Sequence, residues 1–126
     1  MAASSLSAGL ALRSLLTASE EVTSITSSIF PVATDSATLP YVAYARKSLY
    51  HDPTKSGSGS ERVEVDVNCY AADYAGSVEL AEAVRAALEY QSTDGDPAIR
   101  SIILTNASEY WESDAFVQSL TFQLYV

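Results

Sequence analysis

The sequence predicts an α+β fold, with an antiparallel sheet of about four strands and two main helices packed on one face. Residues 62–70 alternate strictly between apolar and polar side chains, which is typical of a strand with one buried and one exposed face. In residues 77–90 the apolar side chains recur instead at helical spacing, so a helix follows this strand directly. Helices separated by antiparallel hairpins favour one sheet with its helices on one side.

Composition sets the size of this fold. The chain has 126 residues, of which 48% are hydrophobic and 18% are charged, so we expect residues 1–126 to form a single domain with a substantial core. No apolar run approaches the roughly 20 residues needed to cross a bilayer, and we expect a soluble protein without a membrane partner. The single Cys69 cannot form an internal disulfide, and its place on the apolar strand face predicts a small buried hydrophobic residue rather than a reactive thiol.

The net charge of -9 is unevenly distributed. Residues 1–60 hold four acids and four bases, whereas residues 61–126 hold twelve acids and three arginines, so the whole excess lies in the second half. Phosphate binding depends on clustered Lys and Arg. The charge pattern therefore argues against a protein that grips nucleic acid.

The first 28 residues predict helix. One amphipathic helix is expected within residues 1–19, with Ser4 or Ser5 available as its cap. A targeting peptide is the alternative, because this stretch is rich in Ser and poor in acids. The helical pattern continues through residues 20–28 and closes at Pro31. The apolar face of the first helix consists of Ala8, Leu12, Leu15 and Leu16.

Residues 39–45 predict the first strand, with Pro40 near its start and Tyr41 and Ala43 facing away from Val42 and Tyr44. Residues 46–60 form the predicted long hairpin loop to the alternating strand. Hairpin loops usually have about 2 to 5 residues, and longer connections are often functional or disordered. We therefore expect this loop to be more than a spacer.

The central helix should begin after Asp73, a candidate N-cap. Its predicted apolar stripe is Leu80, Ala81, Val84, Ala87 and Leu88, and its exposed face carries Glu82, Arg85 and Glu89.

Beyond this helix we predict a turn at residues 91–97 with Asp94-Gly95 at its tip, a strand at residues 99–104, a hairpin connection at residues 106–114 and a last strand at residues 116–126. The last strand should turn one apolar face to the core, with Gln118 as the exception. Trp111 is interpreted as a core residue, with an interface contact as the alternative. The apolar face of the last strand is Phe116, Leu120, Phe122, Leu124 and Val126.

No catalytic, cofactor or metal site is predicted. His51 is the only histidine, and it lies beside Asp52 in the loop without the further ligands or the pocket that such chemistry needs. The acids Glu109, Glu112 and Asp114 match no calcium loop and indicate a solvated turn. An enzyme is therefore the least favoured class.

Several short segments, taken in order, resemble a known family. They are Ile29-Phe30-Pro31, Leu39-Pro40-Tyr41-Val42, Cys69-Tyr70-Ala71 with Asp73, the helix LAEAVRAAL and the final F-x-L-x-V strand. Over nearly the whole chain, the sequence is similar to the tail completion proteins of long-tailed bacteriophages, also called tail terminator or tail-to-head joining proteins.

The resemblance implies a virion structural subunit of the tail or neck, assembled in the host cytoplasm, that caps the tail tube as a homo-oligomeric, hexameric ring. It would join the tube protein to the head connector or head-closure protein, and DNA would pass through the lumen without specific binding. No small-molecule substrate is implied. Residues 46–60 stand where the family carries a long hairpin loop, and we expect this loop to be a docking element toward the neighbouring ring or the adjacent subunit. The expected interface comprises Arg46, Lys47, Tyr50, His51, Lys55 and Arg62. Glu64 and Asp66 are the predicted lumen lining.

Two alternatives stay open. Within the same class, the chain could be a head-side connector or a tail tube subunit. From a different class, it could be a monomeric ligand-binding or accessory domain, since a fold does not fix a function.

Overall fold

The structure, a computed structural model, describes residues 5–32, 38–50, 61–94, 98–112 and 114–126. A five-stranded sheet has the order β1-β2-β3-β5-β4. Every neighbouring pair is antiparallel except β1 and β2, which are parallel. The elements are a 3-10 turn at Ser5–Ser7, α1 at Ala8–Ala18, α2 at Glu20–Ile25, β1 at Ile29–Pro31, β2 at Tyr41–Tyr50, β3 at Arg62–Ala71, α3 at Tyr74–Leu88, β4 at Ser101–Glu112 and β5 at Ala115–Tyr125.

The α+β class is confirmed, but the strand count of about four was one too low. The additional strand is β1, whose three residues pair with Val42–Tyr44 of β2. Three residues are too few to show a period of two, so the sequence indicated only that Pro31 ends the helical region.

The alternating strand is confirmed, and it lies at the centre of the sheet. Val63, Val65, Val67 and Cys69 are all buried in the core that the helices cover. The intervening residues of β3 lie on the opposite sheet face, which no described helix covers and which is called the helix-free face below.

The central helix begins after Asp73 as predicted, because the Asp73 carboxylate accepts a hydrogen bond from the Gly76 N–H at 2.6 Å. On the exposed side, the Arg85 guanidinium lies 2.7 Å from the Glu89 carboxylate, one helical turn away. Within the predicted stripe Leu80, Ala81, Val84 and Leu88 are buried and Ala87 is half-buried, and Ser77 and Ala83 are buried as well.

The first helix buries Ala8, Leu12 and Leu16 against the same core, and Leu15 packs partly against it. The N-cap of α1 is Ser7, whose side chain makes no capping hydrogen bond, rather than the predicted Ser4 or Ser5. Ser5 begins the 3-10 turn, and Ser4 lies outside the described residues. The helical region is broken at Ser19, whose hydroxyl accepts a hydrogen bond from the Val22 N–H and starts the short α2.

The first long strand continues further than predicted. It extends to Tyr50, so Arg46, Lys47 and Tyr50 lie in β2 rather than in a loop, as the antiparallel pairing with β3 continues past a bulge between Arg46 and Ser48. Alternation is disturbed at a bulge, which explains why the sequence pattern seemed to stop there. His51 and Lys55 lie outside the described residues.

The predicted hairpin connection at residues 106–114 was wrong. Residues 106–112 belong to β4, which pairs with β5 along 12 residues and shifts its register between Leu104 and Asn106. The core interpretation of Trp111 was also wrong, since its side chain is 59% exposed. Both errors have one cause: residues 105–112 pair with β5 or flank its pairing while their side chains stay exposed, so this part of the strand has no apolar period in the sequence.

The last strand has the predicted faces, but Phe116 is only half-buried, and Val117 on the opposite face is fully buried. Leu120, Phe122 and Leu124 are buried in the core, and Val126 packs partly against it. Gln118 is polar at a core-facing position because its amide donates to the Ser77 hydroxyl of α3 at 3.3 Å.

Candidate assembly surfaces

The predicted lumen residues Glu64 and Asp66 lie side by side on the helix-free face of β3, each half-buried. The Glu64 carboxylate lies 3.4 Å from the Lys47 ammonium. The Asp66 carboxylate accepts a hydrogen bond from the Thr121 hydroxyl at 2.7 Å. Asp66 therefore has a hydrogen-bonding neighbour, whereas the charge of Glu64 is partly compensated within the chain.

The predicted interface residues that are described lie on two different surfaces. Lys47 and Arg62 lie on the helix-free face, where the Arg62 guanidinium stands 5.0 Å above the ring of Tyr50. Arg46 instead donates a hydrogen bond to the Leu6 carbonyl at 3.0 Å and ties the end of β2 to the helix layer. Among the described basic residues, Arg46 therefore faces a different side of the sheet from Lys47 and Arg62.

An aromatic cluster that sequence analysis missed covers the other end of the helix-free face. The rings of Tyr41 and Tyr70 stack with centroids 4.4 Å apart, and the ring of Phe30 meets Tyr41 edge-on at 6.2 Å. Burial raises the pKa of both the Tyr41 and the Tyr70 hydroxyl. The excess of tyrosine over phenylalanine in the composition was the available signal.

At the far end of the β4–β5 hairpin, a small cleft of about 200 Å³ opens on the helix side. Glu109 accepts hydrogen bonds from the Gln118 amide and from the Tyr74 hydroxyl, each at 2.8 Å. These two bonds, that from Gln118 first, lower the pKa of the Glu109 carboxyl. The cleft also contacts the exposed ring of Trp111, so this end of the hairpin presents aromatic rings around a fixed negative charge.

The described side chains form neither a reactive thiol site nor a metal site. Burial raises the pKa of the Cys69 thiol to about 12, so the thiol stays protonated and enclosed in the core. Within the described part of the chain, no three His, Cys, Asp or Glu side chains come close enough together to hold a metal ion. None of the helices described is long and apolar enough to cross a membrane.

Comparison with known proteins assigns the chain to a family. A solved structure described as "Virion of native gene transfer agent (GTA) particle" contains a chain with the same fold: the TM-score is 0.79, the sequence identity is 18%, and the match covers 98% of each chain. No curated protein sequence matches significantly. The model of the family described as "Tail completion protein gp17" matches residues 10–126. Since this match spans nearly the whole sequence and agrees with the resemblance in its short motifs, the chain belongs to the tail completion protein gp17 family.

Proposed function

We propose that this protein is a virion structural protein that caps the tail tube as a homo-oligomeric ring, most simply a hexamer, and joins the tube to the head connector. The observation that carries the proposal is the family match over residues 10–126. The fold shared with a chain of a phage-like particle supports the same structural class. An enzymatic role has no support in the geometry of the described side chains.

In this proposal, the helix-free face lines the passage through which DNA moves. The helices cover only one side of the sheet, so a ring that keeps them outside turns Glu64 and Asp66 inward. Carboxylates in the lumen repel phosphate and so disfavour binding of the passing DNA. Because Lys47 partly compensates Glu64, Asp66 carries more of this effect.

Deletion of the gene that encodes the protein, followed by complementation with the purified protein, tests the proposal. Deleting the gene should leave filled heads and unattached tails in electron micrographs, and adding the purified protein to the lysate should restore joined particles. Antibody labelling of joined particles should mark the head-proximal end of the tail. Label along the tube would instead identify a tube subunit, label on isolated heads would identify a head-side connector, and particles that join without the protein would refute the proposal.

The lumen assignment has its own test. The double variant Glu64→Lys/Asp66→Lys should still form joined particles but should slow DNA release, which is measured with a dye that fluoresces on ejected DNA. The matched control is Glu79→Lys/Glu82→Lys, which makes the same charge change on the exposed face of α3. Equal release rates for the two variants would show that Glu64 and Asp66 do not face the DNA.

A further inference from the structure

Among the described residues, the outer edge of β4 is covered over one half only. Near its start, the Ile102 carbonyl accepts a hydrogen bond from the Tyr90 N–H at 2.7 Å, and Thr93 bridges to Ile99 just before the strand. Residues 105–112 are all exposed, and in the described part of the chain only β5 pairs with them. These residues are called the β4 edge below.

The outer edge of β2 is also covered over one half, but over the opposite half. β1 pairs with residues 42–44, and the Val32 N–H donates to the Tyr44 carbonyl at 2.6 Å. Residues 45–50 are called the β2 edge below. Of the described strands, only β3 pairs with them. Open strand edges present unpaired backbone donors and acceptors and are prone to pair with another chain.

The two open edges carry opposite charge. The β4 edge contains Glu109 and Glu112 and no base, and Asp114 follows at the hairpin tip. The β2 edge contains Arg46 and Lys47 and no acid. Two copies of the β4 edge would repel each other, as would two copies of the β2 edge, whereas one of each attracts.

Strand direction also fits this pairing. β2, β3, β5 and β4 are antiparallel in succession, so β4 runs opposite to β2. If a second copy continues the sheet in the same orientation, its β2 edge lies antiparallel to the β4 edge of the first. This alignment brings Glu112, at the end of the β4 edge, beside Lys47, near the start of the β2 edge. Both side chains lie on the helix-free face, as the strand registers and the contact of Lys47 with Glu64 show.

We infer that the partner of the β4 edge is the β2 edge of a second copy of this chain, so that the sheet continues from subunit to subunit. The contact is heterologous, and such contacts produce a ring when the rotation between copies closes. The open halves lie at opposite ends of the strands, so neighbouring copies are staggered, and a stagger of this kind tilts the strands as in a closed barrel. This inference rests on the proposed ring and names the surface that builds it.

The test uses two charge reversals and their mixture. Glu112→Lys alters the β4 edge and Lys47→Glu alters the β2 edge, and the mass of each purified full-length protein is measured by analytical ultracentrifugation over a range of concentrations. Each variant alone should need about tenfold more protein than the unmodified chain to assemble, because like charges then meet at every contact. Mixed in equal amounts, the two variants should assemble at close to the unmodified concentration, since every contact between unlike variants is complementary again.

Restored assembly in the mixture distinguishes the loss of a contact between subunits from misfolding of one variant. Losing the ion pair of Lys47 with Glu64 could weaken the Lys47→Glu chain itself, but Glu112→Lys chains would not repair such a fault. The matched controls are Arg13→Glu on α1 and Glu82→Lys on α3, both at exposed positions, and these should assemble as the unmodified protein does. Assembly of the unmodified protein should also weaken between low salt and about 0.5 M salt.

Three results would overturn the inference: an unmodified protein that stays monomeric at every concentration, edge variants that assemble normally, or a mixture that assembles no better than its components. None of these results would remove the proposed function, which depends on the joining of heads to tails in the particle. Conversely, particles that join without the protein would refute the proposed function even if purified rings formed through these edges.

Discussion

The start of α3 allows a prediction whose sign depends on one close contact. The Asp73 carboxylate caps the helix by accepting from the Gly76 N–H at 2.6 Å. A Cβ added at Gly76 would lie 2.5 Å from that same carboxylate oxygen, too close for a real contact. The substitution Gly76→Ala must therefore displace the cap, although alanine is normally the better helix former.

The magnitudes predict a coupling between the two positions. Losing an Asp N-cap costs about 1 kcal/mol, and replacing Gly by Ala inside a helix gains up to about 1 kcal/mol. In the unmodified chain the two terms nearly cancel, so Gly76→Ala should change the free energy of unfolding by close to zero or lower it. In the Asp73→Ala background, where no cap remains to be displaced, the same substitution should gain most of the 1 kcal/mol. The expected coupling energy is thus about 1 kcal/mol.

Urea unfolding followed by circular dichroism of the four proteins of this cycle measures the coupling. The matched control is Gly9→Ala in α1, where an added Cβ would meet only the ring of Tyr44 at an ordinary 3.6 Å. That substitution should have the same effect with and without Asp73. If Gly76→Ala stabilised the protein equally in both backgrounds, the close contact would not govern this helix start, and the reasoning would fail.

Three further predictions concern the core, the end of α3 and alkaline pH. Phe122→Ala should lower the free energy of unfolding by about 3 to 5 kcal/mol in urea titrations, because the ring is fully buried, whereas Tyr110→Ala at the exposed end of β4 should cost much less. Tyr90→Gly should raise the melting temperature, since Tyr90 has a φ of 64° and is 76% exposed, while Glu89→Gly at a φ of -63° should lower it. Burial raises the pKa of the Cys69 thiol from 9.0 to about 12, so its contribution to stability is complete below pH 9 and is lost as pH rises toward 12. Between pH 8 and pH 10.5, the free energy of unfolding should fall by about 2 kcal/mol more in the unmodified protein than in Cys69→Ala. Parallel pH profiles of the two proteins would contradict this.

The part of the fold that the sequence predicted well is the part where burial alternates regularly. In β3 every second residue is buried in the core, and in α3 the buried stripe follows the helical period. In each element the apolar pattern of the sequence therefore has the same period as the burial in the structure. The N-cap at Asp73 was also predictable from local sequence, because Asp directly before a helical pattern is strongly preferred as an N-cap.

The parts that sequence analysis missed are those where pairing occurs without burial. The far half of β4 is held by hydrogen bonds to β5 while its side chains stay in solvent, so its sequence has no apolar period to detect. The end of β2 was missed because the bulge after Arg46 breaks the alternation. In the described part of the chain these two segments are the open edges of the sheet, and the surfaces proposed for assembly were therefore the least visible in the sequence.

The surplus of acid in the second half of the chain has more than one use in the structure. Counted along the sequence, it argued against a protein that grips nucleic acid. In the structure, Glu89 pairs with Arg85 on the outside of α3, Glu109 accepts hydrogen bonds at the hairpin, and the charge of Glu64 is partly compensated by Lys47. Asp66 thus becomes the more important charge for the proposed DNA passage, whereas Glu112 gains importance in the proposed contact between copies. If Lys47 turned toward the neighbouring Glu112 on assembly, its hold on Glu64 would weaken, so Glu64 would become the less compensated carboxylate while the net charge of the helix-free face stayed the same.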